Sequence, residues 1–445
     1  MHISIRLFLA AAFVVLHSGC AETQRPEATG EANIRGLHAI VDGPEVAFRI
    51  EERSLGAINY KGATSVAAFD DLSYQFNFDG ALPGDIRQTR IASRTLTVVP
   101  DMDYLFVLTG SFADADVLLW ETEERQWEGT EEVTEVAAGH LSTVLDALDF
   151  YLVTPGAAPM SGGARGTLEF GERLNNFDID AGDYQAVVTA AGNPSAILFR
   201  STTQALNERV STLFTIHDAD PSITSGISVR RISSTGGSTE LGDVNTPPTQ
   251  RFLHAASGTG NFDVYIDENF AAPIVADVAY GTVTGDVPVP RGESAYTFTA
   301  AGNVGAVLFE EDSTITANTR TTSFLVGPPD DVDVLSLVDD RRPVVGTSKV
   351  RMVQLAENFD NVDIYLRPAG TDIEDVNPTF PNVASPLSSG YSRLEPGDYE
   401  ITVTDTGEKA PVAPVLSLDL AAGDIAEIAI IDNVDPNLLD VIRYD

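Results

Sequence analysis

The strongest constraint on the fold of this chain is that its sequence repeats itself. The segment TAAGNPSAILF, from Thr189 to Phe199, recurs as TAAGNVGAVLF from Thr299 to Phe309, and eight of the eleven positions are identical. Agreement of this kind between two distant segments indicates an internal duplication rather than chance. The chain is therefore expected to contain several copies of one folding unit.

A second segment fixes the number of copies at four. RFLHAASGTGNFDVYI begins at Arg251, RMVQLAENFDNVDIYL at Arg351, GHLSTVLDALDFYL at Gly139 and RGLHAIVDGPEVAFRI at Arg35. Successive copies start about 100 residues apart, which is the size of a domain and exceeds the roughly 20–50 residues of a solenoid repeat. One position of the unit is occupied in turn by His38, His140, His254 and Gln354.

Hydrophobicity within each unit alternates with a period of two. In the strand that begins at Asp263, Val264 and Ile266 share one face, and Asp263 and Tyr265 share the other. Short strands of this kind, separated by Gly, Pro, Asn and Asp turns, predict an all-β chain of four tandem immunoglobulin-like β-sandwich domains. Jelly-roll or small barrel units are the alternative. The expected boundaries are a signal peptide at 1–19, a lipid-anchored flexible tether at 20–32, and sandwich repeats at 33–126, 127–245, 246–343 and 344–445.

An Asp-x-Tyr pair marks the second strand of three units and defines a repeat signature that we expect to be structural. The tyrosines are predicted to point away from the core, where they either pack against neighbouring strands or form an aromatic face for sugar or peptide. With the histidine position, the signature comprises His38, His140, His254, Gln354, Asp149, Asp263, Asp363, Tyr151, Tyr265 and Tyr365.

The amino terminus has the features of an export signal. Arg6 is followed by an apolar core from Leu7 to Leu16, and Ser18 and Gly19 precede Cys20, the single cysteine of the chain. The segment resembles a bacterial lipoprotein signal, which implies lipidation of Cys20 and attachment to the outer membrane, on its periplasmic or surface side. Ordinary secretion with an unmodified Cys20 is the alternative.

The composition of the chain limits the classes of partner that it can bind. The chain of 445 residues carries 66 acidic and 27 basic residues, a formal net charge of −39. Such a chain repels nucleic acid and anionic lipid surfaces, so nucleic acid is excluded as a main partner. We expect contact with the membrane through Cys20 and with an envelope or extracellular protein or glycan. No cofactor is expected.

Two groups of residues have the chemistry of metal ligands. The three signature histidines lie in separate units, and Gln354 replaces one of them, so we interpret them as hydrogen-bonding side chains. Aspartates close together in turns offer the oxygen ligands that Ca²⁺ prefers, but they are also common turn residues, and solvated turns are the favoured interpretation. These aspartates are Asp114, Asp116, Asp218, Asp220, Asp330, Asp331, Asp333, Asp432 and Asp435.

The third unit resembles a known family. Its LHAAS run, the DVYI strand, Ala279-Tyr280-Gly281 and the tyrosine-containing strand that closes on a glycine are similar to the bacterial repeat called domain of unknown function 4397. The resemblance implies export, tandem repetition and a β-sandwich-like module. It implies no activity.

The sequence therefore predicts a non-enzymatic cell-envelope lipoprotein, a string of sandwich domains that acts as a spacer or interaction module. No catalytic motif is present. A calcium- or carbohydrate-binding surface adhesin is the first alternative. The second is an envelope hydrolase whose site lies in the irregular stretch from Ala157 to Thr167.

Overall fold

The structure is a computed structural model that describes residues 27–82, 88–234 and 237–445. The described residues form β-strands, turns and one 3-10 helix, Ile373–Asp375. No helix in this part of the chain combines the length and hydrophobicity needed to cross a membrane. The predicted signal peptide and Cys20 lie outside the described residues. The first strand begins at Glu31, so the last two residues assigned to the tether belong to a sheet.

Four units, called repeats 1 to 4, follow one another along the chain. Repeat 1 contains β1 Glu31–His38, β2 Val46–Ile50, β3 Arg53–Ile58, β4 Ala67–Asp70, β5 Ser73–Gly80, β6 Thr89–Thr97, β7 Met102–Ser111 and β8 Asp114–Glu123. Repeat 2 contains β9 Val133–His140, β10 Leu148–Val153, β11 Gly166–Leu168, β12 Phe177–Asp180, β13 Gly182–Ala190, β14 Ile197–Arg200, β15 Gln204–Leu206, β16 Ser211–Asp218, β17 Ile227–Ser233 and β18 Ser238–Glu240.

The last two repeats have eight strands each. Repeat 3 contains β19 Thr249–His254, β20 Phe262–Ile266, β21 Val275–Val278, β22 Val287–Pro288, β23 Gly292–Ala300, β24 Val307–Ile315, β25 Arg320–Val326 and β26 Asp333–Val338. Repeat 4 contains β27 Ser348–Gln354, β28 Asn361–Pro368, β29 Phe380–Ala384, β30 Leu387–Leu394, β31 Gly397–Asp405, β32 Leu416–Leu420, β33 Ile425–Asp432 and β34 Leu439–Arg443.

Every repeat has the same topology. One sheet has the order fourth, first, seventh, eighth strand, and the other has the order third, second, fifth, sixth. In repeat 2 the additional edge strands β15 and β18 are left out of this count, so that β16 is its seventh strand. The first and seventh strands pair in parallel, as in β1 with β7 and β27 with β33, whereas the other pairings are antiparallel. We call the sheet that holds the parallel pair the inner sheet and its partner the outer sheet.

A hydrophobic core lies between the two sheets of each repeat. In repeat 3, Phe252 of the inner sheet meets Val264, Ile266 and Phe298 of the outer sheet, and all four side chains are buried. The alternation of apolar residues along β20 places Val264 and Ile266 on the same face, as the sequence predicts. The predicted two-sheet sandwich is thus confirmed, and it occurs four times.

The repeats are packed together in pairs rather than strung out. The inner sheets of repeats 1 and 2 face each other through Leu37, Val107, Trp120, Leu141 and Ile232. The inner sheets of repeats 3 and 4 face each other in the same way, through a second cluster that includes Leu253, Phe324, Val353, Ala429 and Ile431. Each inner sheet is therefore buried on both faces, and each pair is a stack of four sheets.

The two pairs also touch. Arg342, in the connection from repeat 3 to repeat 4, donates hydrogen bonds to the carbonyls of Val41 and Gly43 in repeat 1, both at 2.9 Å. The Asn318 side chain of repeat 3 accepts a 2.8 Å hydrogen bond from the backbone N–H of Ser225 in repeat 2. These contacts join the pairs into one body, which differs from the predicted string of separate domains.

Candidate functional site between repeats 1 and 2

The signature histidines lie at the end of the first strand and form hydrogen bonds with the loop that follows it. The Nε2 atom of His38 faces the carbonyl of Pro44 at 2.9 Å, and its Nδ1 accepts the N–H of Ile40 at 3.2 Å. A nitrogen that faces a carbonyl must donate, so the ring is neutral with its proton on Nε2. Burial, the largest cause, lowers the pKa of His38 to about 4. The ring thus ties the first strand to the loop that leads into the second.

The other signature positions make the same connection. His140 Nε2 lies 3.2 Å from the carbonyl of Asp146, and His254 Nε2 lies 2.6 Å from the carbonyl of Gly260. Burial lowers the pKa of both rings. Gln354 replaces the ring with an amide whose Nε2 donates to the carbonyl of Ala356 at 3.4 Å. These contacts agree with a hydrogen-bonding role.

The signature aspartates fasten two turns to the second strand. One carboxylate oxygen of Asp263 accepts the N–H of Asp277, and the other accepts the N–H of Gly302, both at 2.8 Å. Gly302 has a φ of +70°, a conformation that glycine adopts without strain. Asp149 and Asp363 bind the corresponding Gly192 and Gly407. The spacing between the aspartate strand and the closing glycine is therefore a packing requirement.

The signature tyrosines do not form an exposed aromatic face. Tyr151, Tyr265 and Tyr365 are 2%, 4% and 2% exposed. Phe270, from the loop after β20, covers Tyr265 with a ring separation of 5.4 Å, and the ammonium of Lys409 lies 4.7 Å from the Tyr365 ring. The prediction that these side chains point away from the sandwich core agrees with this arrangement, but local loops cover them, so they offer no surface to a sugar or peptide.

The acidic turns belong to two structural classes. Asp218 and Asp432 end the seventh strand of repeats 2 and 4, where repeats 1 and 3 have Gly110 and Gly327. Both aspartates are buried caps of the loop after the first strand: Asp432, for example, accepts the backbone N–H groups at positions 357 and 358.

The remaining aspartates are turn or surface residues. Asp116 and Asp333 each accept the N–H of the next residue at 2.7 Å, and Asp435 accepts the N–H of Asn437 at 3.0 Å. Asp220 forms an ion pair with Lys61. The others are exposed: Asp114 begins β8, and Asp330 and Asp331 lie between β25 and β26. No group of three or more His, Cys, Asp or Glu in the described ranges could hold a metal ion.

Residues 157–167, the alternative location predicted for a hydrolytic site, follow β10 and extend into β11. Residues 157–167 read AAPMSGGARGT and contain no Asp, Glu or His. The Arg165 guanidinium stacks on the Phe177 ring at 5.0 Å, and its backbone N–H donates to the carbonyl of Phe150. The stretch therefore supplies no acid or base of its own.

One hydrogen bond recurs at the two pair interfaces. Tyr60 of repeat 1 donates its hydroxyl to the carbonyl of Asp218 in repeat 2, and Tyr280 of repeat 3 donates to the carbonyl of Asp432 in repeat 4, both at 2.8 Å. The donor and the acceptor occupy corresponding positions in each case. The two pairs are thus copies of one arrangement, and their interfaces can be compared residue by residue.

A buried cluster of charges fills the interface between repeats 3 and 4. Arg351 contacts Asp339 at 2.7 Å and Glu427 at 2.6 Å, and Arg251 contacts the same two carboxylates. The Tyr444 ring lies 5.2 Å from the Arg251 guanidinium. All four charged side chains are nearly inaccessible to solvent, so each charge depends on the others for compensation.

The corresponding part of the interface between repeats 1 and 2 is hollow. The strand registers identify the residues of repeats 1 and 2 that correspond to Arg251, Arg351, Asp339 and Glu427, and only the first of them is charged. These residues are Arg35, Ala137, Thr122 and Leu213. A cavity of about 320 Å³, which we call the cleft, opens there. Its volume is at the low end of the range for small-molecule sites, about 300–1,000 Å³.

Both tryptophans of the chain line the cleft. Trp120, on β8, donates its Nε1–H to the carbonyl of Gly171 in repeat 2 at 2.9 Å, and its ring packs so closely on Gly139 that a Cβ there would collide. Trp127 lies in the connection between the repeats, half-buried, with the Arg125 guanidinium 4.7 Å from its ring. Residues from both repeats and from the connection thus form one wall.

Charged side chains of both signs complete the lining. The arginines are Arg35, Arg125, Arg173 and Arg209, and the acids are Asp103, Glu124 and Glu135. Burial lowers the pKa of Arg35 and Arg173, and burial together with the charges of Glu124 and Glu135 raises the pKa of Asp103. These shifts show that the charged groups are partly withdrawn from water around an open space.

Sequence patterns did not point to the cleft. Its residues come from six strands and five connections, and none belongs to the repeat signature. One signal was present: the two tryptophans, Trp120 and Trp127, lie within eight residues of each other at the end of repeat 1. A pair of scarce, large aromatic residues close to a boundary between repeats marks a candidate contact surface.

The similarity of the chain to known proteins is low. No curated protein matches the chain. Among solved structures, a streptococcal virulence factor described for alpha-glucan binding is similar over 41% of this chain and 93% of its own, with 10% identity and a TM-score of 0.16. The Bacillus anthracis TIE protein is similar over 91% of this chain and 69% of its own, with the same identity and TM-score. At these scores neither likeness carries an argument about function.

One family model matches part of the chain. Residues 249–365 match the domain of unknown function DUF4397. The match begins with β19 and extends into β28, so it covers repeat 3 and the first two strands of repeat 4. The resemblance seen in the third unit of the sequence is therefore confirmed: this segment contains a DUF4397 domain.

Proposed function

We propose that the chain is a non-enzymatic protein of the cell envelope, in which four sandwich repeats form a compact interaction module and the cleft binds a small ligand. The observation that carries the proposal is the difference between the two pair interfaces. In repeats 3 and 4 the corresponding position holds the buried ion cluster. Repeats 1 and 2 keep it open and line it with both tryptophans and seven charged residues.

A concave site with aromatic walls and a few converging polar groups is the usual form of a ligand site. The cleft meets this description and lies between two units, where such sites commonly occur. The signature residues act in packing and hydrogen bonding, so in this proposal the repeats serve as the scaffold of the cleft. Among the described residues, the lining of the cleft contains no histidine.

The experiment uses the mature chain, produced without its signal segment. The protein is incubated with the low-molecular-weight fraction of a bacterial envelope extract and desalted, and the retained compounds are identified by mass spectrometry. A matched variant carries Thr122→Asp, Ala137→Arg and Leu213→Glu, which would recreate the ion cluster of repeats 3 and 4 in the cleft. We expect the wild type to retain a compound that this variant does not retain.

Two results would contradict the proposal. If neither protein retains a compound, or if both retain the same ones, the cleft is not the binding site. If the purified chain turns over a substrate in a hydrolase screen, it is an enzyme. Circular dichroism and the melting temperature of the variant must match those of the wild type, so that loss of retention cannot come from unfolding.

Attachment to the envelope is a separate part of the proposal. Lipidation of Cys20 would place the mature chain on the outer membrane, since the acyl groups of a lipoprotein together give stable anchoring. Replacing Cys20 by Ser should move the protein from the membrane fraction to the soluble fraction. A wild-type chain that is already soluble after export would contradict the anchor.

A further inference from the structure

We propose that the ligand of the cleft is a neutral saccharide of one or two pyranose rings. This inference rests on the proposed function and adds the chemical class of the ligand. A sugar ring has an apolar face of C–H groups and a rim of hydroxyls, each of which both donates and accepts hydrogen bonds. The cleft offers a partner for each of these features.

The aromatic partner is Trp127. Its indole is half-buried at the wall of the cleft, and Arg125 stacks on it at 4.7 Å, so the ring is held in place without being covered by protein on all sides. Trp120 contributes an edge, because its Nε1–H is already bonded to Gly171. A flat indole face supports the apolar face of a pyranose at little cost in conformational entropy.

The acceptor groups are two carboxylates. Asp103 uses Oδ1 to accept the side-chain N–H of Asn33 at 2.8 Å, and Glu135 uses Oε2 to accept the hydroxyl of Ser211 at 2.7 Å. Within the described residues, the second oxygen of each carboxylate accepts no hydrogen bond. Adjacent hydroxyls of a sugar donate to such oxygens, and bonds to a charged acceptor are the stronger kind.

The donor group is Arg173. Its Nη1 donates to the carbonyl of Leu174 at 2.9 Å and its Nη2 to the side chain of Asn176, and no carboxylate of the described residues lies within 4.0 Å of it. A guanidinium has five N–H donors, so further donors remain for sugar oxygens. Asn33 and Asn176 both line the cleft and fix the carboxylate and the guanidinium in position.

Charge favours a neutral sugar over an acidic one. The lining holds four arginines and three acids, which nearly cancel, whereas the whole chain has a net charge of −39. An anionic saccharide would be repelled during approach. It would also place another negative charge beside Asp103, a carboxyl whose pKa is already raised by burial and by Glu124 and Glu135. A neutral ring meets neither penalty.

Intrinsic fluorescence provides a direct test, because the only two tryptophans of the chain both line the cleft. The probes are cellobiose, maltose and N-acetylglucosamine, with glucuronate and galacturonate as acidic counterparts. Titration should change the emission with at least one neutral sugar and with neither acid, and calorimetry should give the same Kd. The variants Trp127→Ala and Glu135→Gln should each weaken binding at least tenfold.

Two controls separate binding from folding. Phe270→Ala removes an aromatic residue in repeat 3, outside the cleft, and should leave the Kd unchanged. Trp127→Phe keeps a flat ring and should retain most of the affinity that Trp127→Ala loses. If Trp127→Ala were unfolded by circular dichroism, Glu135→Gln would still decide the result, because it keeps the size of the side chain.

The outcomes distinguish the two proposals. Binding of the acids alone, or of a retained envelope compound that is not a sugar, overturns the saccharide inference and leaves the cleft as a ligand site. Sugar binding that survives both Trp127→Ala and Glu135→Gln also overturns the inference, since the sugar then binds elsewhere. Failure of the retention experiment and of every sugar overturns the proposed function as well.

Discussion

Protonation of His38 should weaken repeat 1 as the pH falls. The ring is fully buried, it is held neutral by its contacts with Pro44 and Ile40, and the cation of Arg342 lies nearby. In the unfolded chain its pKa returns to 6.5, whereas burial holds it at about 4 in the folded chain. Between these values the unfolded chain binds more protons, so stability is complete above pH 6.5 and is lost as the pH falls to 4.

The size of the effect follows from the two pKa values. A tenfold difference in proton affinity is worth about 1.4 kcal/mol, so the change from 6.5 to about 4 corresponds to about 3 kcal/mol. The variant His38→Gln removes the titrating group. Repeat 4 shows that this position accepts a glutamine, because Gln354 occupies it and keeps a hydrogen bond to the loop that follows.

Hydrogen exchange followed by mass spectrometry can measure the free energy of opening of residues 31–50 at several pH values. Burial also lowers the pKa of His140, His217 and His254, so the informative quantity is the difference between wild type and variant. We expect His38→Gln to lose about 3 kcal/mol less than the wild type between pH 6.5 and 4. Equal losses in the two proteins would refute the argument that the buried ring is neutral.

Four further changes test the packing and the ion sites. Asp263→Ala removes two hydrogen bonds to a carboxylate and should lower the free energy of unfolding by about 3 kcal/mol in urea denaturation. Arg351→Met removes one of the two buried arginines that compensate Asp339 and Glu427 and should cost about 3–5 kcal/mol in the same assay; a loss below 1 kcal/mol would contradict the cluster. Tyr280→Phe removes one hydrogen bond and should cost about 1 kcal/mol, measured as a lower Tm. Calcium and magnesium at equal millimolar concentrations should shift the Tm alike, because the acidic turns are caps and solvated residues; a shift with calcium alone would show a specific site.

The sandwich architecture could be predicted because its signals are local. Alternation along Asp263 to Ile266 places a strand, and recurrence of the pattern gives the number of units. Each repeat that has the signature aspartate also has the closing glycine about 40 residues later. Their contact, however, depends on the fifth strand passing beside the second. The parallel pairing of the first and seventh strands was not predicted, since no local pattern distinguishes it from antiparallel pairing.

Predicting from the sequence that the repeats pair requires the hydrophobicity of both faces of a strand. The run IAEIAIID in β33 is almost continuously apolar and is buried along nearly its whole length. Such a run is typical of a strand covered on both sides, so the sequence contained a signal for a second packing layer. Its partner, the apolar face of another repeat, could not be identified without the fold.

The difference between the two pair interfaces is the best guide to function in this chain. The fold does not require a cleft, because repeats 3 and 4 fill the same position with Arg251, Arg351, Asp339 and Glu427. An unfilled space between packed sheets gives up contacts that would otherwise stabilise the protein. Charged side chains that line it also lose part of their hydration, as the lowered pKa of Arg173 shows. The ligand that we propose would supply the missing contacts, and this would account for an arrangement that costs stability in one copy and is avoided in the other.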